Sequence, residues 1–122
     1  MSTEFKLLPD ARYVHVELAP GYEIRPDGSA ALMVAVSEAC ARQGVRRVLI
    51  EGTVARRKMG MMDSFGAGSL AGATLAGIAI ACCFYGYAPD DQSRFFKDVA
   101  ENRGVRLEFF GDKAAALRWL GV

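Results

Sequence analysis

The sequence predicts an α/β fold, a single domain in which helices pack mainly on one face of a β-sheet. Three observations carry this. Strand-like and helix-like segments follow one another as β, β, α, β, α, β, α, β, α. Two strand segments, the one centred on Val48-Leu49-Ile50 and the one from Gly77 to Phe84, are continuously apolar, the pattern of strands covered on both sides. Two others, Arg12 to Leu18 and Val105 to Phe110, alternate apolar and polar residues, so one face of the sheet is incompletely covered. If the sheet grows in one direction, right-handed crossovers between its parallel strands put successive helices on the same side.

The chain of 122 residues, 1–122, suits one domain. Lys plus Arg number 15 and Asp plus Glu 14, so no global basic field exists to hold nucleic acid or an anionic membrane. Cys40, Cys82 and Cys83 are odd in number and set in apolar surroundings. Neighbours in a strand point to opposite faces, so neither a disulfide framework nor a zinc spacing is suggested. Buried, reduced thiols in a cytoplasmic protein are expected. Met1 to Lys6 has no basic region followed by an apolar core, so no signal peptide is expected. The run from Ser64 to Pro89 carries no charge and has basic and acidic flanks, the outline of a membrane span. Gly66, Gly68, Gly72 and Gly77 interrupt it, and its composition changes at Gly77, so a buried helix followed by a buried strand is expected instead.

Taken in order, Glu4 to Leu8 and Arg12 to Leu18 form a hairpin turned by Pro9-Asp10-Ala11. Val14, Val16 and Leu18 point inward and Tyr13, His15 and Glu17 lie on the polar or partly covered face. His15, without a second ligand or nucleophile at a matching position, reads as a surface or cross-strand residue. Ala19 to Pro26 reads as a loop. A helix follows, capped by Asp27 or Ser29, with a stripe of Leu32, Val36, Ala39 and Cys40, and Gly44 ends it. Val45 to Glu51 is a central, parallel strand. The helix after it opens at Asp63 or Ser64 and runs to about Ala76, with Gly68 and Gly72 allowing close packing on the sheet or forming a helix-pairing interface. Asp90 or Asp91 caps a helix reaching Asn102, whose core face is Phe95, Phe96, Val99 and Ala100. Asp112 caps the last helix, Lys113 to Leu120, which docks Ala116 and Leu120.

Arg56-Arg57-Lys58, the Met-rich turn Met59 to Met62 and Asp63-Ser64-Phe65-Gly66 place a loop beside a helix N-terminus at a sheet edge, where such folds keep recognition sites. Met59, Met61 and Met62 suit an adaptable partner surface or a core gap. Tyr85 and Tyr87, just past a central strand, either line a pocket near that loop or cap the core. No Gly-x-Gly-x-x-Gly, no Gly-x-x-x-x-Gly-Lys and no nucleophile-and-base spacing occurs, so no catalytic residue, metal or cofactor is assigned.

Val99 to Phe110, followed by Asp112 and Ala116-Leu117-Arg118-Trp119-Leu120, resembles the last helix, strand and helix of the SpoIIAA-like proteins, relatives of the STAS domains that include anti-sigma-factor antagonists. Met61-Met62-Asp63-Ser64-Phe65-Gly66 resembles that family's central loop, and the likeness runs from about Arg12 onward. It implies a cytoplasmic STAS-like fold with a mixed sheet and helices on one side, and a fold-level likeness to CRAL-TRIO lipid-transfer domains. In the antagonists this loop reads Asp-Ser-Ser-Gly, and a partner kinase phosphorylates its second serine. Asp63, Ser64 and Gly66 match, whereas Phe65 stands at the phosphorylated position. Ser64 keeps a hydroxyl near the helix start, either as a cap or as a phosphorylation site.

Two functions are carried forward. One is a non-enzymatic STAS-like regulatory or interaction module that binds a protein partner through residues 56–66, with Met59, Met61, Met62, Asp63, Ser64 and Phe65 as its surface; a homodimer is compatible with this. The other is a carrier of a small apolar or lipid-like ligand in a pocket at the C-terminal edge of the sheet, lined by Met62, Phe65, Tyr85 and Tyr87.

Overall fold

The computed structural model describes residues 4–57 and 60–122, with 55–57 as backbone alone. Lys58 and Met59 lie outside the described residues, as do the side chains of Arg56 and Arg57. The chain runs β1 (Phe5–Leu8), β2 (Val14–Leu18), β3 (Tyr22–Ile24), α1 (Pro26–Gln43), β4 (Arg47–Arg57), α2 (Met61–Leu75), β5 (Ala79–Tyr85), α3 (Asp91–Glu101), β6 (Arg106–Phe110) and α4 (Lys113–Leu120). The strands form one mixed, six-stranded sheet in the order β1-β2-β4-β5-β6, with β3 beside β4. β1 is antiparallel to β2, and the other pairings are parallel. This mixed α/β arrangement is compatible with the STAS-like expectation.

The main core lies on one face, where Met33, Val36 and Ala39 of α1, Ala71 and Leu75 of α2, and Ala100 of α3 pack on Val16, Val48, Ile50, Ile80, Cys82 and Leu107. The crossover rule accounts for this, because each of those helices connects parallel strands of a sheet that grows in one direction. α4 follows the last strand and is free of the rule. It takes the other face, where Ala116 and Leu120 cover Tyr13, Leu49, Ala79, Ala81 and Cys83. The face of β2 expected to be only partly covered therefore buries Tyr13. His15 is a cross-strand residue, with Nε2 2.6 Å from Glu51 Oε2, and Lys113 Nζ lies 3.2 Å from the same oxygen.

Four boundaries differ from the sequence reading. Tyr22–Ile24, expected in a loop, pairs with the second half of β4, which extends to Arg57 beyond the expected end at Glu51. Three residues are too few for a periodic signal, and β4 itself supplies the partner edge. Gly52, with φ 154°, marks the point where β4 exchanges β2 for β3. α1 is not capped by Asp27 or Ser29: it starts at Pro26, whose missing N–H and preset φ suit a first helical position. α2 starts at Met61 with Gly60 as N-cap, so neither Asp63 nor Ser64 opens it. The helix ends at Gly44, Asp90 and Asp112 fall as expected: Gly44 is left-handed at φ 69°, and the two carboxylates accept from the N–H groups of Ser93 and Ala114.

The uncharged run is split between α2 and β5 at Gly77, φ 83°, whose N–H donates to Gly104 O at 2.8 Å. Among the described residues no helix is long and apolar enough to cross a membrane. β5 is buried on both faces from Ala79 to Phe84, so Cys82 points to the main core and Cys83 to the α4 side.

Candidate functional site

α2 shapes the site through small residues. Gly66, Gly68 and Gly72 each cost helix stability relative to alanine, so α2 depends on tertiary packing more than on propensity. Of the two expectations for Gly68 and Gly72, the sheet or a neighbouring helix, the structure has the helix: Gly68 faces α3 and Gly72 the turn just after it. A Cβ on Gly68 would stand 2.7 Å from Val99 Cγ1, and one on Gly72 would stand 2.4 Å from Arg103 Cβ. The helices therefore approach closely, while the sheet-facing side of α2 offers only Ser64, Ala67 and Ala71 before Leu75. Those side chains are short, and a half-enclosed cavity of about 110 Å³ remains between the sheet and α1–α3.

The cavity runs between the helix-covered face of β4, β5 and β6 and the three helices, and its polar end lies at the starts of α2 and α3, beside the C-terminal end of β5, where ligands commonly bind in parallel α/β sheets. Ile50, Ile80 and Cys82 form its floor, Leu32, Met33 and Val36 its α1 wall, and Phe84, Phe96 and Phe109 its far side. Among the described residues no acidic or basic side chain lines it. Burial pushes the Cys82 thiol up to about 12, helped by the charges of Cys83 and Glu108. Burial likewise raises the Tyr22 phenol to about 12, with Glu4 and Asp27 adding to the effect. Both groups stay neutral near neutral pH, so neither adds charge to the described walls.

One end is polar. The Tyr87 hydroxyl hydrogen-bonds the Ser93 hydroxyl, which donates to Asp90 Oδ1 at 3.1 Å. The Ser93 N–H donates to the same oxygen at 2.9 Å, so the relay ends on the carboxylate that caps α3. Beside it, Gln92 Nε2 donates to Ser64 Oγ at 3.0 Å. These hydroxyls and the amide can orient one polar group of a bound molecule.

The predicted site residues divide between three places. Met61, Met62 and Phe65 are 50%, 80% and 41% exposed. Phe65 stacks on Phe95 at 6.3 Å, with the Arg103 guanidinium 5.6 Å from its ring. Asp63, at the third helical position, accepts from the Gly60 N–H at 3.1 Å and supplies the capping role expected of Ser64. Ser64 is not a cap: it lies one position further on, 1% exposed, and lines the cavity. Tyr87 also lines the cavity and packs on Phe84 and Phe109, so it does not share an exposed patch with the methionines. Tyr85 is two residues away on the α4 side of the sheet, and Met62 and Phe65 are not among the lining residues.

The α1 wall and the strand floor were missing from the sequence reading. Their signal was the inward register of Ile50, Ile80, Cys82 and Phe84 opposite a helix face made of serine and alanine. Among the described residues no cluster of three or more His, Cys, Asp or Glu could hold a metal ion. No protein-family profile matches the chain, and no curated protein matches it.

Proposed function

We propose that this domain is a non-enzymatic, STAS-like binding module whose cavity takes a small, uncharged, largely apolar ligand carrying one hydrogen-bonding group. The observation that supports this is a half-enclosed cavity of about 110 Å³ whose described lining residues include no acidic or basic side chain, with Ser64, Gln92, Tyr87 and Ser93 together at one end. An apolar cavity of this order stays dry and accepts small hydrocarbon guests. Binding there gains dispersion and desolvation energy without separating a buried ion pair. A cytoplasmic setting belongs to the same proposal, since all three cysteines are free and buried.

The test is a titration of the labelled protein with benzene and with 1-octanol, followed by NMR, alongside native mass spectrometry of protein purified from its own cells. Saturable, one-to-one shifts in Ile50, Ile80 and Ala71 are expected. Their absence with both probes, together with an unliganded native mass, rules the reading out.

A second reading, a protein partner docked at the start of α2, has its own support. Of the five large apolar side chains left exposed among the described residues, Met61, Met62 and Phe65 fall within two helical turns. A partner retained at one-to-one stoichiometry by the natural chain and lost with Met62→Ser supports it, provided the melting temperature is unchanged. Retention by both chains removes the surface.

A further inference from the structure

At the opposite edge of the sheet, where the parallel strands begin, Arg12, Arg46, Arg47 and Arg106 line a cleft of about 460 Å³ with no acidic side chain among its described lining residues. Its geometry follows from the strand register. Arg47 pairs with Ala79 and Ala79 with Arg106, so the two arginines stand on the same face of β4 and β6 with one methyl group between them. Two inter-strand spacings put their Cα atoms roughly 10 Å apart. The Arg106 guanidinium is held 5.0 Å from the Trp119 ring centre. Arg46 Nη1 lies 3.7 Å from where a side chain on Gly77 would begin, an ordinary contact distance that sets the guanidinium beside the turn before β5.

Of the four, only Arg12 has a carboxylate partner among the described residues, Asp10 at 3.3 Å. Like charges gathered with one counter-charge among four repel one another, and a bound anion relieves that repulsion. In a chain of net charge +1 this concentration is local.

We propose that this cleft is a binding site for the phosphate group of a small phosphorylated molecule. Guanidinium forks match tetrahedral phosphate oxygens two at a time, and several forks around one gap favour a doubly charged anion over a single carboxylate. The cleft is larger than a lone phosphate, so the phosphate carries an organic group that rests on Ala79 and Leu120. This site lies apart from the apolar cavity and stands or falls independently of it.

Isothermal titration of the full chain tests it, with inorganic phosphate, pyrophosphate, glucose 6-phosphate and ATP as separate arms that distinguish the source of the phosphate. Saturable one-to-one binding of at least one probe is expected. It should weaken at least about tenfold in the Arg47→Gln/Arg106→Gln double variant, as the loss of charge-assisted bonds requires. Arg42→Gln, outside the cleft, should leave it unchanged, and the same probe should raise the melting temperature of the natural chain but not that of the double variant. No saturable binding by any probe overturns the proposal. So does binding that survives in the double variant, or that falls equally with Arg42→Gln.

Discussion

The Gln92 side chain donates to Ser64 Oγ at 3.0 Å, tying the first turn of α3 to the first turn of α2 at the polar end of the cavity. Ser64 is 1% exposed, so its contribution differs from that of a solvent-facing cap. Ser64→Ala removes the acceptor of this bond and should cost about 1 kcal/mol. Ser64→Asp puts a carboxylate where water is excluded and should cost on the order of 3 kcal/mol or more, since the helix dipole offsets only part of the desolvation. Urea unfolding gives the order; an aspartate variant as stable as the alanine one contradicts the buried placement.

The glycines of α2 should divide by what they face. Gly68→Ala sets a methyl 2.7 Å from Val99 and 3.1 Å from the Phe96 carbonyl oxygen, so α2 and α3 must separate. A loss of about 1–3 kcal/mol is expected. Gly66 meets nothing within 4 Å, and Gly66→Ala should stabilise by about 0.5–1 kcal/mol through helix propensity. Equal effects at both positions would mean that α2 and α3 do not meet at Gly68.

Ala71 is buried and lines the cavity, which makes its enlargement a test of the empty space itself. Ala71→Leu should leave stability unchanged or raise it by about 0.5–2 kcal/mol, as cavity filling does. In a tightly filled core the same change costs about 1–3 kcal/mol. A lower melting temperature would show that the space is already occupied by side chains.

Alkaline pH should destabilise the fold. The Cys82 thiol is raised from an ordinary 9.0 to about 12, and the Tyr22 phenol from 10.0 to about 12. In the unfolded chain both ionise near their ordinary values, so the unfolded state releases protons first as pH rises. Their contribution is complete below about pH 9 and lost progressively towards pH 12. Unfolding free energy measured from pH 8 upward should fall, and Cys82→Ala should flatten the slope whatever it does to the absolute stability. A disulfide-exchange reagent at pH 8 should find no reactive thiol until denaturant is added. Rapid modification of the native protein would count against the burial of all three cysteines.

Much of the fold was legible in the residues. The apolar centres of β4 and β5, the turn at Pro9-Asp10-Ala11, the left-handed stop at Gly44 and the carboxylate caps at Asp90 and Asp112 are local signals, each complete within a few neighbouring residues. What depends on distant partners was not legible. β3 exists because β4 extends past β2 and offers an open edge. α4 lies on the second face because no strand follows it to impose a crossover. Tyr85 and Tyr87 fall on opposite sides of the sheet because β5 carries its alternation through Tyr85 before the chain turns at Gly86.

The candidate sites show the same division. The exposed Met61, Met62 and Phe65 could be named from composition, because their setting is one helical turn and its solvent. The cavity could not, since an empty volume belongs to no residue: it is what remains when Gly68 and Gly72 draw α2 against α3 and Ser64, Ala67 and Ala71 present only short side chains to the sheet. The arginine cleft likewise needs Arg47, Ala79 and Arg106 brought into one row from three strands, and sequence separation conceals that register. The sequence by itself determined the elements whose signals are local, β2, the centres of β4 and β5 and the helices, through short-range periodicity and capping. Only the tertiary structure decided which distant edges pair and how closely the elements approach, and both spaces proposed to hold a ligand are set by that distance.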